Sequence, residues 1–215
     1  MENEHSLIFE LAHNAVSHRI LEDGYVQFLR FNDSDGQPFN SHPLYRAMAK
    51  TSASICLRFT TTSETVVHIK RYNPSLLAKK GDKVLDFAAL YGRPLDLSET
   101  LDVSIDGKRE HHPLVSGPLL LQAGQEIEIH LPLHHQVGVK VEGKVEPISK
   151  HTKTLLLLGD SIVQGVGIHH PSQNLATLLG NQLGVQVLNQ GLAGAMINDK
   201  VVQKLELDAP VASIL

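Results

Sequence analysis

The chain has 215 residues, 42% hydrophobic and 20% charged, which fits one large or two small globular domains and excludes disorder, collagen and coiled coil. Nineteen lysines and arginines against 23 aspartates and glutamates give a formal charge of -4 with no basic cluster, so nucleic acid is not an expected partner. The longest apolar run, 155–158, falls far short of the roughly 20 residues of a membrane-spanning helix, so no membrane partner is expected either. The start, Met1-Glu2-Asn3-Glu4-His5, lacks the basic and apolar stretches of a secretory signal, and a single cysteine cannot pair within the chain; both predict a cytoplasmic protein. Cys56 stands between Ile55 and Leu57, which favours a buried structural thiol over a nucleophile.

The first fifty residues show no clear pattern. Beyond them, residues 54–59, 65–70, 101–105, 126–131 and 138–142 alternate apolar with polar and are rich in β-branched side chains, the signature of half-buried strands. Turn signals punctuate the chain at 32–36, Asn73-Pro74, Gly92-Arg93-Pro94, Asp106-Gly107 and Ala123-Gly124. Asp106-Gly107 predicts a tight hairpin, because both residues tolerate positive φ. Many short strands without a long amphipathic helix predict a β-sandwich, jelly-roll-like, over residues 1–149. Tyr25, Phe28, Tyr45, Phe59 and Tyr72 read as core rather than as a sugar platform, since tryptophan is absent and their spacing is that of strands.

The composition then shifts. Residues 1–150 hold 35 charged residues and all ten aromatics, whereas 151–215 hold seven charges and seven of the 16 glycines. Thr154 and four leucines end at Gly159, as in a central strand buried on both faces of a parallel sheet. A helix over Leu175–Leu183 stopped by Gly184, a strand over 185–188, a helix over 196–205 and a strand over 211–215 follow. About 65 residues is short for such a domain, so the domain that starts at residue 150 reads as incomplete.

Parallel sheets bind ligands at the carboxyl ends of their strands, which directs attention to the loops after Leu158 and Leu188. In the first, Gly159-Asp160-Ser161 delivers a serine onto a turn, a candidate nucleophile with helix-opening N–H groups beside it to stabilise an oxyanion. In the second, Gly194 offers a backbone N–H with no Cβ in the way. The plainer alternative makes Ser161 a helix N-cap, with Asp160 shaping the turn through side-chain bonds to backbone. Gly165-Val166-Gly167 begins too far from the strand and lacks the third glycine of a dinucleotide fingerprint, and no Gly-Lys-Ser or Gly-Lys-Thr marks a phosphate loop. The 13 histidines include the pairs His111-His112, His134-His135 and His169-His170. Neighbours on a strand point to opposite faces, so each pair offers at most one ligand, and no His-Glu-x-x-His occurs; no metal is expected, and most histidines read as surface or turn residues.

Gly159-Asp160-Ser161-Ile162 after four leucines, followed by Asn189-x-Gly191-x-Ala193-Gly194 after a strand, resembles the first two blocks of the SGNH (GDSL-type) hydrolases, which are esterases, lipases and carbohydrate deacetylases. The resemblance covers residues 154–215. It implies a flavodoxin-like α/β/α three-layer domain from residue 150, behind the N-terminal β-sandwich that several members carry. It also implies Ser161 as the acylated nucleophile, the N–H groups of Ser161 and Gly194 as oxyanion donors, and Gly159 and Asp160 as supports of the turn. The substrate would be a small acyl ester, an acetylated sugar among the candidates, with no cofactor. The family's Gly-x-Asn-Asp block does not occur before Leu215, and none of the 13 histidines has an aspartate three residues before it; Glu10-Leu11-Ala12-His13 is the nearest mimic. The expectation is an esterase catalytically incomplete in this chain, with residues 151–215 less stable than the part before them. The alternative is a non-catalytic β-sandwich binding module carrying a hydrolase remnant.

Overall fold

A computed structural model describes residues 2–32, 48–73, 77–80, 83–86, 100–113, 117–194 and 211–214. The chain opens with helix α1 (Glu2–Leu11), followed by strands β1 (Ala12–His13), β2 (Ser17–Ile20), β3 (Val26–Leu29), β4 (Cys56–Thr61) and β5 (Thr65–Asn73). A separate pair, β6 (Leu77–Lys80) and β7 (Lys83–Asp86), comes next. Then come β8 (Thr100–Ile105), β9 (Lys108–Pro113), β10 (Leu119–Leu121), β11 (Glu126–His130), β12 (Gln136–Glu142) and β13 (Val145–Pro147). The remainder is β14 (Thr154–Gly159), α2 (Ser161–Gln164), a 3-10 turn (Pro171–Gln173), α3 (Leu175–Leu183), β15 (Gln186–Gly191) and β16 (Val211–Ile214).

All five expected strands of the first part are present, and the short helix α1 occupies the opening stretch where the sequence shows no clear pattern. Leu7, Ile8 and Leu11 are related by i+3 and i+4 spacing but make up a single turn of repeat, too short to mark a helix in the sequence; together with Phe9 they pack on the core of the sheets. One antiparallel sheet runs β1-β4-β11-β8-β9 with β13 also on β4; the other runs β10-β5-β12-β3-β2. Their facing residues form one buried cluster, with Leu57, Phe59, Val103, Ile127 and Ile129 from the first and Val26, Phe28, Val67, Val137 and Val139 from the second. The hairpin at Asp106-Gly107 joins β8 to β9 with Ile105 opposite Lys108, and its φ angles of 50° and 81° are those of a type I′ turn.

Phe28 and Phe59 are core residues, but Tyr25 and Tyr72 are not. These two stand half-buried and edge to face at 6.3 Å, with the Lys70 ammonium over both rings. Their hydroxyl-bearing rings gain more at the boundary with water, where Asp23 accepts the Tyr72 O–H at 2.7 Å. Tyr45, the helix expected over 196–205 and the turns at 33–36 and 92–94 lie outside the described residues.

The third sheet is parallel, in the order β15-β14-β16. The four leucines of β14 are buried on both faces, as a central strand requires: Leu155 and Leu157 against Ala176 and Leu179 of α3, Leu156 and Leu158 beside Leu188 and against Val16. Among the described residues, the outer edge of β15 meets side chains instead of another strand. Asn14 Oδ1 accepts the Val187 N–H, and Arg30 Nη1 donates to the carbonyls of Asn189 and Gly191. An edge that would otherwise template aggregation is thereby closed. Among the described residues, no helix is long and apolar enough to cross a membrane.

Part of the outer face of the first sheet is covered as well. His18, His68, His111, His112, His151, His169 and His170 are half-buried or exposed, in keeping with the reading of most histidines as surface or turn residues, while His13 and His130 are exceptions on this face. His13 lies opposite Cys56, Cys56 opposite His130, His130 opposite Asp102 and Asp102 opposite His111, one lateral row across five strands. His13, Cys56, His130 and Asp102 are buried beneath the segment that carries the 3-10 turn and α3. His134 and His135 are buried too. Polar alternation marks a sheet face as not apolar; whether water or protein covers it depends on tertiary packing.

Candidate active site

Gly159 and Gly191 are the last residues of adjacent parallel strands and lie directly opposite each other. Asn189 and Gly191, expected in a loop after Leu188, belong to β15 itself, because their backbone continues the ladder with β14. Helix α2 crosses immediately above this glycine pair. A Cβ on Gly159 would stand 2.9 Å from Val163 Cβ, and one on Gly191 would overlap the Gln164 nitrogen and approach the Val163 carbonyl carbon to 2.8 Å. Only glycine permits this approach.

Ser161 is the first residue of α2 and is half-buried at the carboxyl end of β14. The cap is Asp160, whose Oδ1 accepts the Ile162 N–H at 2.9 Å, so Ser161 does not act as the N-cap that the plainer alternative made it. Asp160 shapes the turn through this side-chain bond to backbone. Among the described residues, no imidazole is hydrogen-bonded to the Ser161 hydroxyl. Gly194 stands in the turn after β15 with φ 75°.

Hydrogen bonds tie the two loops together. Leu192 N–H donates to Gly159 O at 3.0 Å, and Ala193 N–H donates to Gln164 Oε1 at 2.8 Å. Asn189 Nδ2 donates to Val163 O at 2.7 Å and to Ser54 Oγ at 2.8 Å, while its Oδ1 accepts the Gly191 N–H. Ser54 in turn donates to Asn174 Oδ1, which also caps α3 by accepting the Thr177 N–H. Ser161, Asp160, Gly159 and Gly194 are thus carried on one bonded platform, although the two motifs stand some thirty residues apart in sequence.

Several supporting residues escape the sequence reading. Arg30 is 1% exposed and directs all five of its N–H donors at acceptors: Nε to Thr51 O, Nη1 to Asn189 O and Gly191 O, Nη2 to Met48 O and Thr51 Oγ1. Burial pulls its guanidinium down to about 9, which leaves it charged at neutral pH. The one available signal was a lone charge in the run Val26-Gln27-Phe28-Leu29-Arg30-Phe31. Gln164 and Ser54 carried no signal, since a glutamine in a four-residue helix and a serine before a strand are ordinary. His134, near Gly165, is pulled down to about 4 by burial and is neutral at pH 7. The Cys56 thiol is buried and pushed up by that burial, in keeping with a structural residue.

No protein-family model matches the chain. No curated protein matches its sequence. Among solved structures it is similar to a salicylyl-acyltransferase from a tetracycline biosynthetic pathway, with a TM-score of 0.59 and 22% identity over 85% of this chain and 50% of that one. It is also similar to a protein described as a GDSL-like lipase from Bacteroides ovatus, with a TM-score of 0.60 and 18% identity over 93% of this chain and 59% of that one. The chain shares the fold of these two proteins and spans about half of their length.

Proposed function

We propose that this chain carries the nucleophile half of an SGNH-type acyl-ester active site: a β-sandwich over residues 1–149, and from residue 150 the first part of an α/β/α layer that presents Ser161. One observation supports this reading above the others. The two motifs that resemble the SGNH blocks meet at the carboxyl ends of adjacent parallel strands, cross-bonded through Leu192 to Gly159 and Ala193 to Gln164.

In this reading Ser161 Oγ attacks the acyl carbonyl, its proton passes to a general base, and the N–H groups of Ser161 and Gly194 stabilise the oxyanion. The alcohol leaves, and water releases the acid from the acyl-enzyme. The substrate class is a small acyl ester, an acetylated sugar included, and no cofactor takes part. The fold shared with an acyltransferase and with a GDSL-like lipase agrees with chemistry on an acyl group.

The test is covalent labelling by a fluorophosphonate together with hydrolysis of an activated acetyl ester. Wild-type protein is expected to take one label, located at Ser161 by peptide mass, and Ser161→Ala to take none and to lose about 10³-fold or more of any turnover. Equal labelling and equal rates in the two proteins would sink the proposal and turn attention to what the β-rich part binds.

A further inference from the structure

Apart from Ser161, the described residues hold two clusters of metal-ligating side chains, Cys56–Glu128–His130 and Asp102–His111–His170. The first already holds its cations. Glu128 lies 3.5 Å from the Arg58 guanidinium and 3.7 Å from that of Arg109, and its other neighbour is His130. A divalent ion there would meet two fixed positive charges.

The second cluster has no such competitor among the described residues. Asp102 on β8 is fully buried, and its Oδ2 is held by Ser172, whose N–H donates at 2.9 Å and whose hydroxyl donates at 2.5 Å. That anchoring leaves Oδ1 facing two imidazoles. His111 Nδ1 on β9 stands 2.6 Å from it, and His170 Nδ1, in the turn before Pro171, stands 3.6 Å from it. Thr100 Oγ reaches the same oxygen at 3.4 Å. The two rings face each other with centroids 3.9 Å apart. His170 Nδ1 is buried from solvent and has no hydrogen-bond partner, an orphaned polar atom beside a carboxylate.

We propose that Asp102, His111 and His170 bind one divalent transition metal ion of the zinc class, which clamps the turn before Pro171 onto the first antiparallel sheet. The donor set is two imidazole nitrogens and one carboxylate oxygen, the choice of zinc-class ions and not of calcium or magnesium, which prefer oxygen alone. Tetrahedral bonds of about 2.0–2.1 Å place ligand atoms about 3.3 Å apart, between the 2.6 and 3.6 Å separations of the two nitrogens from Oδ1. All three ligand atoms lie within 4.8 Å of one another, so shifts of about half an ångström to one ångström complete the set. The Ser172 bonds to Oδ2 are the outer-shell support that orients a ligating carboxylate. Both rings are partly exposed, which gives the ion an entry path and leaves room for water as the fourth ligand. His111-His112 and His169-His170 then contribute one ligand each.

Chelator-treated full chain is titrated with Zn²⁺ by calorimetry and with Co²⁺ by visible absorption. We expect one equivalent of tight binding, the ligand-field bands of a nitrogen and oxygen site, and a saturable rise in melting temperature at one equivalent. His111→Ala and His170→Ala should each weaken binding about 100-fold or more, since loss of an outer-shell partner alone costs 10–100-fold. His112→Ala should retain it. Binding unchanged in His170→Ala, or no stoichiometric binding by the wild-type chain, overturns the proposal. If both ligand variants fail to fold by circular dichroism, the wild-type cobalt spectrum decides: imidazole-containing ligand-field bands at one equivalent support the site, and their absence overturns it.

Discussion

At position 30 a guanidinium sits in the interior with no carboxylate partner among the described residues. Isolation of a charge from water is costly, and the cost is met here by geometry: a planar fork with five donors finds five acceptors on two chain segments. Lysine has three donors on a flexible stem and cannot reproduce the fork. We expect Arg30→Lys to orphan two buried acceptors and to lower stability by about 2–6 kcal/mol, at about 1–3 kcal/mol each, measured as a shift in urea midpoint. Because two of the acceptors are the carbonyls of Asn189 and Gly191, labelling of Ser161 should slow in the same variant. Unchanged stability would mean that Arg30 does not brace the second loop. The serine, its capping aspartate and both glycine motifs were legible because each is a short local pattern; Arg30 was not, because its partners lie up to 161 residues away.

Elements show the same division. Helix α2 fits over the sheet only because Gly159 and Gly191 are paired across two strands, a relation that emerges when β14 and β15 take their register. A methyl at position 191 meets backbone atoms of Val163 and Gln164, which cannot rotate away as a side-chain tip would. Gly191→Ala is expected to cost about 1–3 kcal/mol as an overpacked site and to shift Ser161 enough to reduce its labelling rate several-fold. A variant with wild-type urea midpoint and labelling rate would show that α2 sits higher than described. The hairpin at Asp106-Gly107 needed no tertiary information, since positive φ at two successive residues is a property of that dipeptide. Helix α1 was not legible, because Leu7, Ile8 and Leu11 give only one turn of helical repeat and the helix is held by packing on the finished core.

For the molecule as a whole, buried histidines of β1 and of the bend between β11 and β12 set the response to acid. His13, His134 and His135 are each lowered to about 4, His13 by burial and then Arg58, His134 by burial, His135 by burial and then Arg71. With folded values below the ordinary 6.5, the unfolded chain binds more protons, so their contribution is complete above pH 6.5 and is lost as pH falls toward 4. Glu128, lowered to about 2 by its hydrogen bond from His130, adds a second loss below its ordinary 4.5. Urea midpoints are therefore expected to fall steeply between pH 6.5 and 4, and His134→Gln to flatten that slope by about one proton. A flat profile across this range would contradict the burial of these rings.

By itself the sequence determined five of the strands of the first part, the tight hairpin at Asp106-Gly107, the doubly buried β14 and the serine turn, because alternation, turn chemistry and apolar runs act over a few residues. Tertiary structure alone decided that the polar row from His13 to Asp102 faces protein instead of water, that Asn14 and Arg30 bond the edge of β15, and that Tyr25 and Tyr72 stay at the surface. The reason is physical: periodicity assigns a side chain to a face, but what covers that face depends on how the parallel sheet docks on the antiparallel one. Contacts between residues more than a hundred positions apart leave no local trace.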